Sequence, residues 1–133
     1  MTIFSKIIQG DIPCYKVAEN ERFFAFLDIR PMTKGHTLVV PKMETDYLFN
    51  LPDDLLGDMM VFAKQVALAI STVVPCKRVG VAVLGMEVPH AHIHLVPLQK
   101  ESDLSFQRSP VEMSKEEMME LSVQLQNAFR HSS

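Results

Sequence analysis

Three histidines recur at every second position of one apolar run, between Pro89 and Pro97. Successive side chains of a β-strand point to opposite faces of its sheet, so His90, His92 and His94 would stand in a row on one face. The apolar residues between them would then point into a core. Imidazole is the side chain best suited to gain or lose a proton near neutral pH. The run therefore predicts a strand with a chemical site on one face.

The composition narrows the class of protein that can carry such a strand. Of the 133 residues, 47% are hydrophobic and the formal net charge is −3, without a long basic run, so no nucleic-acid partner is expected. No basic segment precedes a long apolar stretch at the N-terminus, and residues 59–74 are interrupted by polar side chains. We therefore expect neither a signal peptide nor a membrane span. A cytoplasmic protein with two reduced thiols, Cys14 and Cys76, is the expectation.

The order of the predicted elements favours an α+β fold with a mostly antiparallel sheet of about five strands. One long helix begins near Pro52, with two aspartates in its first turn, and a capping-box pattern at residues 114–117 starts a C-terminal helix. We predict one domain, with a core over about residues 2–98 and a C-terminal loop and helix over 99–133. Strands are predicted over residues 15–18, 23–27, 36–40, 79–84 and 90–97.

The histidine run leaves three interpretations open. Its members are satisfied packing residues, or they share a metal ion with Glu87 as a further ligand, or one of them attacks phosphorus. In the third case a neutral imidazole forms a covalent adduct, while neighbouring imidazoles orient it and move protons. His36 begins another predicted strand and could reach the same face, which favours the third interpretation. His131, near the C-terminus, is expected to be solvated.

Four sequence blocks together resemble the histidine triad (HIT) family. The run His90-Ala91-His92-Ile93-His94-Leu95-Val96 is similar to the family signature, in which histidines alternate with apolar residues. Residues 3–13, 24–31 and 34–42 are similar to three further segments, in the same order. The resemblance covers about residues 2–98 and is greatest for the Hint-like branch. It implies the HIT-like fold, a homodimer, and hydrolysis of nucleoside phosphoramidates or related purine nucleotidyl compounds without a cofactor.

The resemblance also implies a role for each matched residue. His92 matches the nucleophile that takes the nucleotidyl group, His94 and His36 match residues that hold it and contact phosphate, and His90 matches the histidine near the leaving group. Asp28 matches a carboxylate that accepts hydrogen bonds from the ribose. The other nucleotide-binding positions are an apolar slot for the base, formed by Phe4, Ile7, Ile12, Phe26 and Leu27, and a link beside the phosphate with Gly85, Glu87 and Val88.

Two departures from the family pattern bear on these roles. Met86 and Glu87 stand where many relatives carry Gln and Ser or Thr, and a carboxylate near the phosphate repels it by about a kcal/mol or more. A nucleotide-binding module with little turnover is therefore one alternative, and a metal-dependent hydrolase is another. Thr2 and Ser5 stand where zinc-binding relatives have cysteines, so we predict no metal there.

Overall fold

The protein is described by a computed structural model that covers residues 1–132, with side chains for residues 1–130. His131 therefore lies outside the described side chains. One antiparallel sheet has the strand order β1-β2-β3-β5-β4, which confirms the predicted α+β architecture. Its strands are β1 (Lys16–Glu19), β2 (Phe23–Leu27), β3 (Thr37–Pro41), β4 (Arg78–Ala82) and β5 (Ile93–Leu98). The helices are α1 (Ile3–Ile8), α2 (Asp53–Val73) and α3 (Lys115–Ser132), with 3-10 turns at Leu48–Asn50 and Glu101–Asp103.

The strands β2, β3 and β5 are buried on both faces of the sheet, and β2 shows how their residues divide. Phe23, Ala25 and Leu27 point into the main core, which α2 and α3 cover. Phe24 and Phe26 point the other way and join a smaller cluster. Because strand side chains alternate, neighbouring residues of one strand serve two different cores. The smaller cluster consists of Phe4, Phe24, Phe26, Leu38 and Val40, with Ile7, Ile8, Cys14 and Val88 packed against it.

The long helix α2 begins directly after Pro52, as predicted, and buries an apolar stripe along one face. Leu55, Met59, Phe62, Val66 and Ile70 are all buried against the sheet and α3. By length and composition alone, α2 is long and apolar enough to cross a membrane, which differs from our expectation for this region. The core helix of a globular domain meets the same criterion, and the apolar face of α2 is packed as such a helix would be.

The strand that carries the last histidine is shorter than predicted, because β5 begins three residues later, at Ile93. Ala82, the last residue of β4, pairs with His94, and no sheet residue pairs with Ala91. The N–H of Ala91 instead donates to the carbonyl of Thr45 (2.6 Å). The first two histidines therefore lie in a segment that the neighbouring loop holds, just before the strand.

The two edges of the sheet differ in how far other parts of the chain cover them. At the β1 edge, the side chains of Ser122 and Gln126 of α3 both donate to the carbonyl of Lys16. At the β4 edge, the side chain of Val81 is 52% exposed. The predicted capping box of α3 is confirmed, and the two cysteines are free, as expected.

Candidate active site

Four imidazole rings and one phenyl ring form a continuous row on the face of the sheet that α1 covers. The ring centroids of His92 and His94 lie 5.0 Å apart, and those of His94 and His36 lie 5.2 Å apart. Phe4 of α1 contacts His90 and His92, with centroids 5.7 and 5.1 Å away. The structure thus places the rings of His92 and His94 side by side as the period of two predicts, whereas His90 meets the row through Phe4, and only His94 lies within β5.

A hydrogen bond joins His36 to His94, and the backbone fixes its direction. The N–H of Met32 donates to Nδ1 of His36 (3.0 Å), so the proton of His36 lies on Nε2. That Nε2–H donates to Nδ1 of His94 (2.9 Å), which places the proton of His94 on its own Nε2. Burial lowers the pKa of each ring to about 4. At neutral pH both rings are uncharged, and His94 retains one N–H, at Nε2, for another acceptor.

His92 takes the opposite tautomer. Its Nδ1 lies 2.7 Å from the carbonyl oxygen of His90, which can only accept a hydrogen bond. The proton therefore lies on Nδ1, and Nε2 of the neutral ring carries a lone pair. Within residues 1–132 no hydrogen-bond partner of this Nε2 is found. An imidazole in this state can act as a nucleophile.

The ring of His90 joins the row through its contact with Phe4, and its place near the leaving group stays a prediction. The ring is fully buried, and burial lowers its pKa. Its Nε2–H donates to the carbonyl of Pro41 (2.8 Å), and its Nδ1 accepts from the hydroxyl of Thr2 (2.7 Å). Both nitrogens are therefore engaged. His90 acts on the site through its backbone carbonyl, which holds His92.

Hydrogen bonds fasten helix α1 to the loop after β3. The backbone N–H of Thr2 and the hydroxyl of Ser5 both donate to Oε1 of Glu44, at 2.7 Å each. These bonds lower the pKa of the Glu44 carboxyl, the bond from the Thr2 N–H most of all. Because α1 carries Phe4, the same bonds fix the ring that contacts His92. The two hydroxyls that replace the cysteines of zinc-binding relatives are thus engaged in hydrogen bonds.

Asp28, His36 and His94 are close enough to be considered as metal ligands, with ligand atoms within 4.8 Å of one another. Oδ2 of Asp28 lies 3.6 Å from Nε2 of His36. The backbone N–H of Met32 already occupies the Nδ1 lone pair of His36, so a metal at Nε2 would require a fully deprotonated ring. The hydrogen bonding of His36 thus argues against a metal ion on these three side chains.

A cavity of about 480 Å³ opens onto the histidine row, and we call it the triad cavity. Asp28 lies in its wall, where the N–H of Arg30 donates to Oδ1 (2.8 Å). Burial raises the pKa of the Asp28 carboxyl, and the hydrogen bond opposes that rise. Most of the predicted site residues line this cavity: Phe4, Asp28, His36, Gly85, Glu87, Val88, His92 and His94.

Four residues of the predicted base slot lie elsewhere. Phe26 and Ile7 pack with Phe4 in the smaller cluster and support the cavity wall from behind. Ile12 is half-buried and does not line the triad cavity. Leu27 lies in the main core on the opposite face, which corrects its assignment to the slot. The physical reason is the alternation along β2, where one residue further along the strand faces the other core.

Several lining residues were not predicted from the sequence. Leu38 of β3 follows His36 by two positions, so the same period of two could have identified it as a lining residue. Phe106 and Arg108 come from the polar segment after β5, where the sequence has no regular pattern. The ring of Phe106 contacts His94 with centroids 4.9 Å apart. This segment therefore reaches the site of its own chain.

A second cavity, of about 870 Å³, also reaches His92 and shares Leu84, Gly85 and Met86 with the triad cavity. Its walls are mostly apolar and include Tyr47, Phe49, Met60 and Leu84. His92 therefore lies where two cavities meet, and the carboxylate of Asp28 lines one of them. A substrate with two parts could occupy both cavities, with its scissile bond next to His92.

Comparison with known proteins agrees with the class of protein that this sheet and histidine row define. A protein-family model described as "HIT domain" matches residues 9–101. An uncharacterized HIT-like protein of Borreliella burgdorferi is 34% identical over 131 residues, which cover 92% of this chain and 94% of that protein. The chain belongs to the HIT domain family.

Two further comparisons describe how far the likeness extends. The adenosine 5′-monophosphoramidase of Saccharomyces cerevisiae is 40% identical over 101 residues, covering 74% of this chain. The match spans 63% of the yeast protein, which is less than two thirds of its length. A crystal structure of a HIT-like protein from Bartonella henselae superposes with a TM-score of 0.82 at 25% identity, covering 96% of this chain and 95% of that one.

Proposed function

We propose that this protein hydrolyses nucleoside phosphoramidates, such as AMP joined to an amine, through a covalent intermediate on His92. The observation that carries the proposal is the tautomer of His92, whose Nδ1–H is bound to the His90 carbonyl while Nε2 lies free at the junction of two cavities. The name of the yeast relative supports the substrate class, because that protein is an adenosine 5′-monophosphoramidase.

The reaction takes place in two displacements at phosphorus. Nε2 of His92 attacks the phosphorus, the bond from phosphorus to the amine nitrogen breaks, and the amine leaves with a proton taken from water. The Nε2–H of His94 donates to a phosphoryl oxygen, on which negative charge increases during attack. Water then attacks the same phosphorus and gives its proton to the hydroxide that the first step left, the bond to Nε2 breaks, and AMP leaves. His92 returns to its starting tautomer, which the His90 carbonyl favours throughout.

Within the proposed site, the nucleotide lies in the triad cavity. Asp28 accepts hydrogen bonds from the ribose hydroxyls, and Phe4 offers an apolar surface to the base. The second cavity takes the amine side of the substrate, because its walls are mostly apolar and it is also lined by His92. This arrangement places the bond to be broken beside Nε2 of His92.

A second candidate function, nucleotide binding with little turnover, is favoured by one observation. Met86 and Glu87 line the triad cavity in place of side chains that would donate hydrogen bonds to a phosphate. The two functions differ in turnover and not in affinity for AMP. Purified protein that binds AMP in calorimetry but releases no amine from an AMP-amine substrate would select the binding module.

The nucleophile is tested by His92→Gly, which removes the ring and leaves a space for free imidazole. We expect turnover of an AMP-amine substrate to fall by at least about a thousandfold, on the scale of lost covalent catalysts. Added imidazole should restore part of it, whereas His92→Ala with no added base stays inactive. A variant that keeps its full rate without imidazole would refute the assignment of His92.

We also propose that two copies of the chain join along β4 to form a homodimer. The β1 edge is covered by α3, but β4 presents an open edge with Val81 exposed, and α2 exposes Met60, Val61 and Leu68. Exposed strand edges pair readily unless they are covered. Val81→Lys should convert the dimer to a monomer in sedimentation equilibrium, while Met119→Lys on the exposed side of α3 should not. A wild-type protein that is monomeric would contradict this proposal.

A further inference from the structure

One wall of the triad cavity comes from the segment between the 3-10 turn at Glu101–Asp103 and helix α3. Ser105, Phe106, Arg108 and Pro110 of this segment all line the cavity. The segment lies beyond residues 9–101, which match the family model. Any function it has is therefore additional to the features that place the chain in the family.

This wall is fixed at both ends. The carboxylate of Asp103 accepts from the N–H groups of Gln99 and Lys100, directly after the strand that carries the last histidine. The N–H of Val111 donates to the carbonyl of Pro31 (2.8 Å), which joins the segment to the loop after β2. With Phe106 also packed on the His94 ring, the wall has a defined position relative to the histidine row.

The guanidinium of Arg108 is oriented within this wall. Its Nη1 donates to both the carbonyl oxygen and Oδ1 of Asp103, at 3.1 and 3.2 Å. No acceptor for its Nε or Nη2 is found among residues 1–132. The side chain is 35% exposed, and the residue lines the cavity. One edge of the guanidinium thus holds the side chain in place, and its remaining N–H groups are available to a ligand.

The charges that line the triad cavity indicate which kind of ligand the free N–H groups of Arg108 would bind. Asp28 and Glu87 supply negative charge to its lining, and a nucleotide brings more with its phosphate. Arg30 and Arg108 are the two permanently cationic residues of the lining. Since Met86 and Glu87 offer the phosphate no positive charge, a cation from another part of the chain must offset the repulsion.

We propose that Arg108 binds the phosphate of the nucleotide in the triad cavity. The planar guanidinium matches the oxygens of a phosphate, and its contact with Asp103 reduces the conformational freedom that it loses on binding. This inference rests on the proposed nucleotide site and adds a residue that distinguishes a nucleotide from its nucleoside. Arg108 supplies the N–H donors to the phosphate that Met86 and Glu87 do not offer.

The test is the ratio of two affinities measured by calorimetry, those for AMP and for adenosine. Adenosine lacks the phosphate but keeps the base and ribose, so it reports on the rest of the site. In Arg108→Gln we expect the affinity for AMP to fall about ten- to a hundredfold, as for a lost charge-assisted hydrogen bond, while that for adenosine changes little. Arg108→Lys, which keeps the charge, should retain an intermediate ratio.

The control is Arg22→Gln, which removes the same charge from an exposed pair with Asp58 on the surface. It should leave both affinities unchanged. An unchanged AMP-to-adenosine ratio in Arg108→Gln would overturn the proposal, and so would an equal loss of both affinities, which would indicate a purely structural role. Wild-type protein that binds neither ligand would instead refute the nucleotide site itself.

Discussion

The two buried histidines His36 and His94 should make the stability of the protein depend on pH in a specific interval. Burial lowers the pKa of each from 6.5 to about 4. Protonation of either ring would also break a hydrogen bond, because Met32 N–H already donates to His36 and His36 already donates to His94. The folded protein therefore excludes protons that the unfolded chain binds.

The direction of this pH dependence follows from the linkage between proton binding and folding. Between pH 6.5 and about 4 the unfolded state binds more protons, so the free energy of unfolding falls as the pH is lowered through this interval. A tenfold change in proton affinity is worth about 1.4 kcal/mol. The free energy of unfolding at pH 7 is therefore about 3 kcal/mol higher, for one such histidine, than it is below pH 4. We count one histidine only, because two rings joined by a hydrogen bond titrate as a pair.

The assay is urea unfolding at a series of pH values for the wild type and for His94→Asn. The asparagine carbonyl can accept the hydrogen bond from His36 in place of Nδ1, and it does not titrate. Carboxylates distant from His94 contribute equally to both curves, so the difference between them reports on His94 together with its charge interaction with Asp28. We expect the wild type to lose about 3 kcal/mol more than the variant between pH 6.5 and 4. Parallel curves would show that the reasoning about burial is wrong.

Three further predictions test separate parts of the structure. Gly35→Ala should lower the free energy of unfolding in urea by about 2–4 kcal/mol, since φ is +97° and a Cβ would lie 3.0 Å from Val74. Gly10→Ala has a similar φ of +86° but open space around the added Cβ, so it should lower that free energy by about 1 kcal/mol. Glu44→Ala should weaken AMP binding several-fold in calorimetry by releasing α1, and Glu44→Gln, which keeps an acceptor, should retain most of the affinity; equal affinities would contradict this. Asp28→Asn should reduce the preference for AMP over 2′-deoxy-AMP in the same assay, and an unchanged preference would remove Asp28 from the ribose site.

The sequence predicts most of the fold because the informative patterns are local. The period of two in the histidine run depends on near neighbours and puts His92 and His94 side by side, although the strand begins only at Ile93. The long helix predicted to begin near Pro52 is α2. The same locality explains one error. Leu27, expected in the base slot, lies in the main core because strand alternation points it to the other face of the sheet.

The parts of the site that the sequence does not predict depend on contacts between distant segments. Phe106 meets His94 and Arg108 lines the triad cavity only because Asp103 and Val111 fix the intervening chain. No periodicity or turn signal in residues 99–113 predicts those contacts. The hydrogen bond from Met32 N–H that sets the tautomer of His36 is also invisible in sequence, since any residue supplies a backbone N–H.

The central claim of this account is that Nε2 of His92 forms a covalent bond to phosphorus. It is tested most directly by mixing the protein with an AMP-amine substrate, quenching in alkali within the first turnovers, and mapping the adenylylated residue by tandem mass spectrometry. We predict the mass of one adenylyl group on His92, and none after the same treatment of His92→Ala. Full turnover with no adenylylated histidine at any time point, or with the group on His94 or His36, would contradict the claim.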